Sequence, residues 1–237
     1  MHITVHSGSR MLGGKIFKYF TKDAGKVVFN KDLFNLKLAD IKREYTGKEI
    51  AVKVAELKKE CTYTKPIYAE DINEYIEYMQ LANTYATLNR KLIAEYIAKN
   101  VLQAEITDCI ESIHNYYDTS DNILRKGAIS AKLDEKIVIP LNMAEGIVIA
   151  RGLGNKDYNY SCAHGLGRNF SRSQAKKEIT LAEFKESMQH VYSTSVVEST
   201  IDESPMAYKS YEEVFAHLKD TIEVIEILKP ILNVKEV

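Results

Sequence analysis

The sequence predicts an α+β fold, with mixed sheets flanked by long helices. Three observations lead there: short segments rich in β-branched residues, two long runs with apolar side chains at helical spacing, and no regular strand–helix–strand alternation of the doubly wound kind. Taken in order, His2-Ile3-Thr4-Val5-His6 alternates like a short strand and runs into Ser7-Gly8-Ser9-Arg10, a polar turn-forming segment. Further strands are expected at Lys26 to Asn30, Ile50 to Val54, Lys136 to Pro140, Gly146 to Arg151 and Val191 to Val197, where Val and Ile dominate. Between Ala69 and Gln103 the apolar residues Ile72, Ile76, Met79, Ala82, Ala86, Ile93 and Ile97 describe one face of a long helix. Acids stand at its start and Lys99 near its end. Thr180-Leu181-Ala182-Glu183 opens a shorter helix with a capping box. Ser210-Tyr211-Glu212-Glu213 does the same ahead of Val214, Phe215, Leu218, Ile222, Ile225 and Leu228, so a second long helix is expected up to Pro230.

A chain of 237 residues with 45% hydrophobic content can bury one sizeable core, and a single domain over 1–237 is expected. No apolar run approaches the roughly 20 residues that a membrane-spanning helix needs, and the start lacks the basic-then-apolar order of a secretory signal. Cys61, Cys109 and Cys162 are odd in number and form no CxxC pair, which argues against a disulfide framework or a zinc ribbon and fits a reducing, cytoplasmic setting. The formal net charge of -1 excludes a uniformly basic coat. Charge is nevertheless uneven: Arg151, Lys156, Arg168, Arg172, Lys176 and Lys177 face Asp157 alone between Gly146 and Lys177. That stretch reads either as a solvated face or as a surface for a polyanion such as RNA.

Five segments combine a reactive or phosphate-binding group with small neighbours. His6-Ser7-Gly8-Ser9-Arg10 sets an imidazole beside a glycine turn whose amides, with Arg10, can cradle an anion; a plain structural histidine is the alternative. His114-Asn115 precedes Leu124-Arg125-Lys126-Gly127-Ala128. This pair of segments reads as a metal-binding imidazole and a ligand-orienting amide, or as a helix end with a solvated Arg-Lys pair. In Ala163-His164-Gly165-Leu166-Gly167-Arg168, glycines give a phosphate access to the imidazole and Arg168 offers charge. A neutral imidazole there can attack phosphorus, unless the segment is only a glycine-rich turn. Cys162 beside it makes a poor metal pair. Asp202-Glu203-Ser204-Pro205-Met206-Ala207-Tyr208-Lys209 is a helix approach in which Tyr208 can also stack on a base, and Lys235 reads by itself as a solvated tail lysine.

Taken together, HSGSR, HN, RKGA, AHGLGR with SR and A following, DESPMAYK and a terminal VK resemble the RtcB family of RNA ligases over essentially the whole chain. Tyr85-Ala86 followed by Asn89-Arg90 also looks like that family's YAxxNR segment. The resemblance implies an enzyme that uses GTP and Mn2+ to join RNA 3′-phosphate or 2′,3′-cyclic phosphate ends to 5′-hydroxyl ends through a histidine-bound GMP. His164 matches the guanylylated histidine and His6 and His114 match metal ligands. Asn115, Asn142, Gly165, Gly167, Arg168, Tyr208 and Lys235 match guanylate contacts.

Two departures qualify the match. The family's upstream aspartate, cysteine and Asn-His segment ending in glutamate have no counterpart before HSGSR here. The expectation is therefore a C-terminal portion that lacks the N-terminal metal-ligand segment: a fragment, a split enzyme completed by a separate chain, or a degenerate relative. Pro140-Leu141-Asn142-Met143 replaces the Pro-Gly-Ser-Met of many members, which points to a divergent branch. The competing functional class is a non-catalytic nucleotide- or RNA-binding module or partner subunit.

Overall fold

The computed structural model describes residues 1–22, 24, 26–67 and 69–235. The chain forms two compact units, 1–105 and 106–237. Helices and small antiparallel sheets occur in both, which makes the protein α+β. Among the described residues no helix is long and apolar enough to cross a membrane.

The first unit is mainly helical. It contains α1 (Arg10–Phe20), β1 (Val27–Phe29), α2 (Lys31–Glu44), α3 (Lys48–Glu60), β2 (Thr62–Thr64) and α4 (Ala69–Tyr96). Asn30 caps α2 by accepting from the Leu33 amide, and β1 pairs antiparallel with β2. The segment Ile50 to Val54, expected as a strand, lies inside α3. Its β-branched residues also fit a helical stripe with Leu57, and a Lys53–Glu56 pair one turn apart at 2.8 Å supports the helix. His2 to His6, expected as a strand, forms none. The helix expected to Gln103 is α4 as far as Tyr96, followed by a π-helical turn at Ile97–Val101. Phe20 of α1 packs on Tyr75 and Tyr78 of α4 at ring distances of 5.1 and 5.7 Å, and Ala82 and Ala86 are buried.

The second unit starts with the hairpin of β3 (Asn115–Asp118) and β4 (Ile123–Lys126). β5 (Ala128–Ser130) pairs antiparallel with β8 (Ser161–Ala163), while β6 (Lys136–Pro140), β7 (Ile147–Gly152) and β9 (Ile222–Leu228) form a sheet in that order. Ile129, Ile137, Ile139, Val148, Ala150, Leu218 and Ile222 make one core around these strands. Three short helices, α5 (Arg172–Glu178), α6 (Leu181–Ser187) and α7 (Tyr211–Ala216), join 3-10 turns at Glu198–Glu203 and Pro205–Ala207. Met143, Ala175, Phe184, Met188 and Ala207 form a second core there. Thr180 caps α6 with the expected capping box.

Two expectations fail in this unit. The second long helix ends at Ala216, and Ile222 to Leu228 is the strand β9, its Ile and Val side chains drawn into the sheet by the free edge of β7. Val191 to Val197 forms no strand; Tyr192 makes only an isolated bridge to Leu232.

Candidate active site

Sheet register decides where His164 sits. Ala128 of β5 lies opposite Ala163 of β8, so the next residue outward on each strand, Gly127 and His164, also meet. His164 Nδ1 stands 2.6 Å from the Gly127 carbonyl oxygen. A carbonyl only accepts, so the bond requires the proton on Nδ1, and in the neutral ring the lone pair then lies on Nε2. The Gly127 amide donates to the His114 carbonyl at 2.7 Å and to Asn115 Oδ1 at 3.3 Å. One residue therefore ties the start of β3 to the end of β8, and the His114 and His164 rings stack with centroids 4.6 Å apart. Gly127 has φ 68°, a left-handed conformation that favours glycine.

Behind this clamp lies a buried cation that one of the two readings of the sequence placed in solvent. Arg125 is 2% exposed. It donates to Ser161 Oγ, Tyr116 OH and Asp118 at 2.9, 3.1 and 3.0 Å, and Asp121 lies 3.6 Å away. It thereby fastens β4 to both β3 and β8, and only Lys126 of the Arg-Lys pair is exposed.

Beyond His164 the chain passes Gly165, where an added Cβ would stand 3.0 Å from the Pro140 carbonyl oxygen, so the glycine allows the turn after β6 to come close. In that turn Asn142 Oδ1 accepts from the amides of Ala144 and Glu145, so its NH2 group is the donor left for an anion. Gly167 follows with φ 69°. Arg168 then meets the Pro205–Ala207 turn, pairing across a bridge with Tyr208. Its guanidinium lies 4.8 Å from the Tyr208 ring centre and donates to Tyr208 OH at 3.0 Å and to the Asp202 carbonyl.

Glu203 organises the rest. Its carboxylate accepts from Tyr208 OH at 2.8 Å and pairs with Lys235 and Arg172 at 2.5 Å each. Burial alone would push this carboxyl up, but Lys235, Tyr208 and Arg172 hold it down at about 2. Burial, reinforced by Glu203, pushes Tyr208 up to about 12, so its hydroxyl stays a donor. Lys235 is no solvated tail: its amide and carbonyl both bond the hydroxyl of Ser195. Sequence reasoning named Tyr208, Arg168 and Lys235 but passed over Glu203 as the group that unites them; the acid pair before Ser-Pro was the available signal.

The same acids neutralise much of the cationic stretch. Arg172 bonds Asp202 at 2.6 Å, Lys176 lies 3.3 Å from Asp202, and Arg151 pairs with Glu223 at 2.6 Å. Cys162 is buried, which pushes its thiol up to about 12 and removes it as a thiolate ligand or nucleophile. An open concavity of about 660 Å3 beside α7 and β9, lined by Leu153, Tyr211, Phe215, Leu218 and Val224, contains none of the candidate residues.

His114, Asn115, Asn142, His164, Gly165, Gly167, Arg168, Tyr208 and Lys235 thus all belong to the second unit, whereas His6 lies exposed in the first. There the YAxxNR helix holds the HSGSR segment. Arg90 donates to the Ser7 carbonyl at 2.8 Å, and Asn89 donates to Ser7 Oγ at 3.3 Å. Among the described residues no group of three or more His, Cys, Asp or Glu side chains is placed to hold a metal ion.

Compared with known proteins, the family model for tRNA-splicing ligase RtcB matches residues 1–236. The chain belongs to the RtcB family. Its RtcB relatives include the RNA-splicing ligase RtcB of Escherichia coli strain K12, 32% identical over 98% of this chain and 55% of that protein. The tRNA-splicing ligase RtcB of Methanococcus maripaludis is 27% identical over 90% of this chain and 47% of its own length. This RtcB chain thus spans about half the length of the curated relatives it matches.

Proposed function

We propose that this chain carries the nucleotide-transfer part of an RNA ligase, with His164 as the group that accepts GMP from GTP. The observation that carries the proposal is the 2.6 Å bond from His164 Nδ1 to the Gly127 carbonyl, which leaves Nε2 unprotonated and nucleophilic. Nε2 attacks the α-phosphorus, a P–N bond forms, and pyrophosphate leaves with the electron pair of the broken P–O bond. An RNA 3′-phosphate oxygen then displaces the histidine, which recovers its lone pair, and a 5′-hydroxyl attacks the activated phosphate and expels GMP. Arg168, Tyr208 and Lys235, joined by Glu203, are the groups that hold the guanylate, and the Asn142 NH2 and Asn115 supply hydrogen bonds to it.

Mn2+ favours oxygen donors but accepts imidazole, and His114, stacked on His164, is the imidazole of the second unit that would contribute to holding it; His6 is the ligand proposed for the first. When bound, the metal supplies charge neutralisation of the triphosphate. Since the described residues hold no group of three or more clustered ligands, this reading takes the charged ligands from a further polypeptide segment. RNA ends are the proposed substrates and the cytoplasm the proposed setting.

The test is incubation of the chain, completed by the segment that supplies the charged ligands, with α-labelled GTP and Mn2+, followed by denaturing electrophoresis. Acid-labile covalent label that disappears in His164→Ala supports the reading. Reversible GTP binding with no label in either protein would replace it with a non-catalytic nucleotide-binding module.

A further inference from the structure

In the second unit the acids cancel much of the basic stretch, so a polyanion would find little free charge there. The first unit differs. From Lys26 to Lys65 ten bases stand against six acids, in a chain whose net charge is -1. The excess gathers on one side of α3. Leu57, 3% exposed, marks the inner side of that helix. At about 100° per residue, Lys48, Ala51, Val52, Ala55, Lys58 and Lys59 fall on the opposite side, and all six are exposed. Lys48 and Lys59 stand about 16 Å apart along the axis with Ala51, Val52 and Ala55 between them. No bulky or acidic side chain there would hold a phosphate backbone off the helix.

The acids of α3 are engaged elsewhere: Glu56 pairs with Lys53 at 2.8 Å and Glu60 with Lys37 of α2. Among the described residues, Lys48, Lys58 and Lys59 enter no ion pair. An exposed ring follows directly. Thr62 Oγ1 donates to the Lys58 carbonyl at 2.6 Å, so β2 leaves from the last turn of α3, and Tyr63 in the middle of β2 is 50% exposed. The Lys65 amide donates to the Lys26 carbonyl at 3.0 Å, which brings two more lysines together at the open end of the β1–β2 ribbon. A run of surface lysines alone is an ordinary solvated face. Lysines without acids, a low centre and an exposed ring together supply what a single nucleic-acid strand needs: cations for its phosphates and a stacking platform for a base.

We infer that the outer face of α3, continued by Tyr63 of β2, is a docking surface for a single-stranded stretch of RNA. The choice of polyanion rests on the ligase reading, whereas the contacts are independent of His164. The experiment is a fluorescence-anisotropy titration of the full chain with an unstructured, 3′-phosphorylated RNA across a salt series, with the GTP labelling assay run in parallel. Lys48→Gln, Lys58→Gln and Lys59→Gln combined should raise the RNA Kd about tenfold or more and lower the salt slope by about two, at about 0.7 for each phosphate released. The thermal midpoint and GTP labelling should be retained, since none of the three lies in a core or in the nucleotide site. A charge-matched control, Lys185→Gln with Lys219→Gln and Lys229→Gln, all exposed in the second unit, should shift the Kd by less than about threefold. Tyr63→Thr should weaken binding about fivefold without changing the slope, and Tyr63→Phe should restore it. A lysine variant no weaker than the control, an unchanged slope, or a Tyr63→Thr protein as tight as the parent would overturn the inference. So would release of the RNA by polyglutamate as readily as by unlabelled RNA, which would assign the face to an acidic protein. Loss of GTP labelling with lysine-dependent RNA binding intact would sink the ligase reading and leave this surface standing.

Discussion

His164 Nδ1 and the carbonyl oxygen of Gly127 stand 2.6 Å apart, and this contact sets the imidazole tautomer. Its geometry depends on a residue at φ 68°. Gly127→Ala places a side chain in the left-handed region, at a cost of roughly 1–2 kcal/mol. The new Cβ would stand 3.5 Å from His164 Cε1, an ordinary contact, so the penalty comes from the backbone and not from a clash. As that peptide relaxes, its carbonyl turns from Nδ1. The rate of covalent labelling from GTP should fall about tenfold, equivalent to about 1.4 kcal/mol in the barrier. Gly127→Asn, better suited to positive φ, should fall less. Single-turnover labelling checks both, and an alanine variant that labels at the parent rate would remove the role given to this bond.

Acid should unfold the second unit in a defined window. Glu203 and Asp118 are both held down at about 2, against the upward push of burial, by Lys235 and Tyr208 in one case and by Ser120 and Arg125 in the other. A depressed carboxyl stabilises the fold above its ordinary value and loses that contribution as pH falls through its folded value. The loss therefore runs from ordinary values of 4.5 and 3.8 down to about 2. Glu203 contributes at most about 3.5 kcal/mol of it, at about 1.4 kcal/mol per pH unit. Urea midpoints measured from pH 7 downward should drop steeply below about pH 4.5, and Glu203→Gln should flatten that drop. A parent protein with no such fall would contradict the Glu203 network.

Arg125→Met should be among the most damaging substitutions in the second unit. It leaves Asp118 and Asp121 with Lys132 as their remaining cation, so the cost should approach but not exceed the roughly 3–5 kcal/mol of an uncompensated buried charge. Arg125→Lys should not rescue it, since one ammonium cannot reach Ser161, Tyr116 and Asp118 together. Equilibrium unfolding in urea measures both, and a cost below about 1 kcal/mol, the range of an exposed pair, would show that the network is not structural.

Arg172→Ala with Lys176→Ala should change RNA affinity little, about threefold or less, and hardly alter its salt slope, because both cations already pair with Asp202. The bare sequence suggested the opposite: that this stretch presents free positive charge. Binding of a 3′-phosphorylated RNA across a salt series discriminates, and a slope reduced by about two would restore the sequence-based view.

Where local chemistry decides, the sequence was a good guide. The capping box at Thr180 and the strands at Lys136 and Gly146 are set by neighbours in the chain. It misled where a distant partner decides. Ile222 to Leu228 carries apolar residues at a spacing that serves helix or strand, and the edge of β7 settles the matter. Arg125 looks like one half of a solvated pair until Asp118 and Asp121 fold over it. Glu203 was hidden for the same reason, its partner Lys235 standing 32 residues away.

The two hydrogen bonds between Ser195 and Lys235 make one residue the keeper of two places at once. Ser195 is 1% exposed, and its hydroxyl both donates to and accepts from the backbone of Lys235. Displacing Lys235 would leave that buried hydroxyl without its partners and at the same time take the ammonium from Glu203. A disturbance at Lys235 would thus register 40 residues away at Ser195 and in the Glu203 network together.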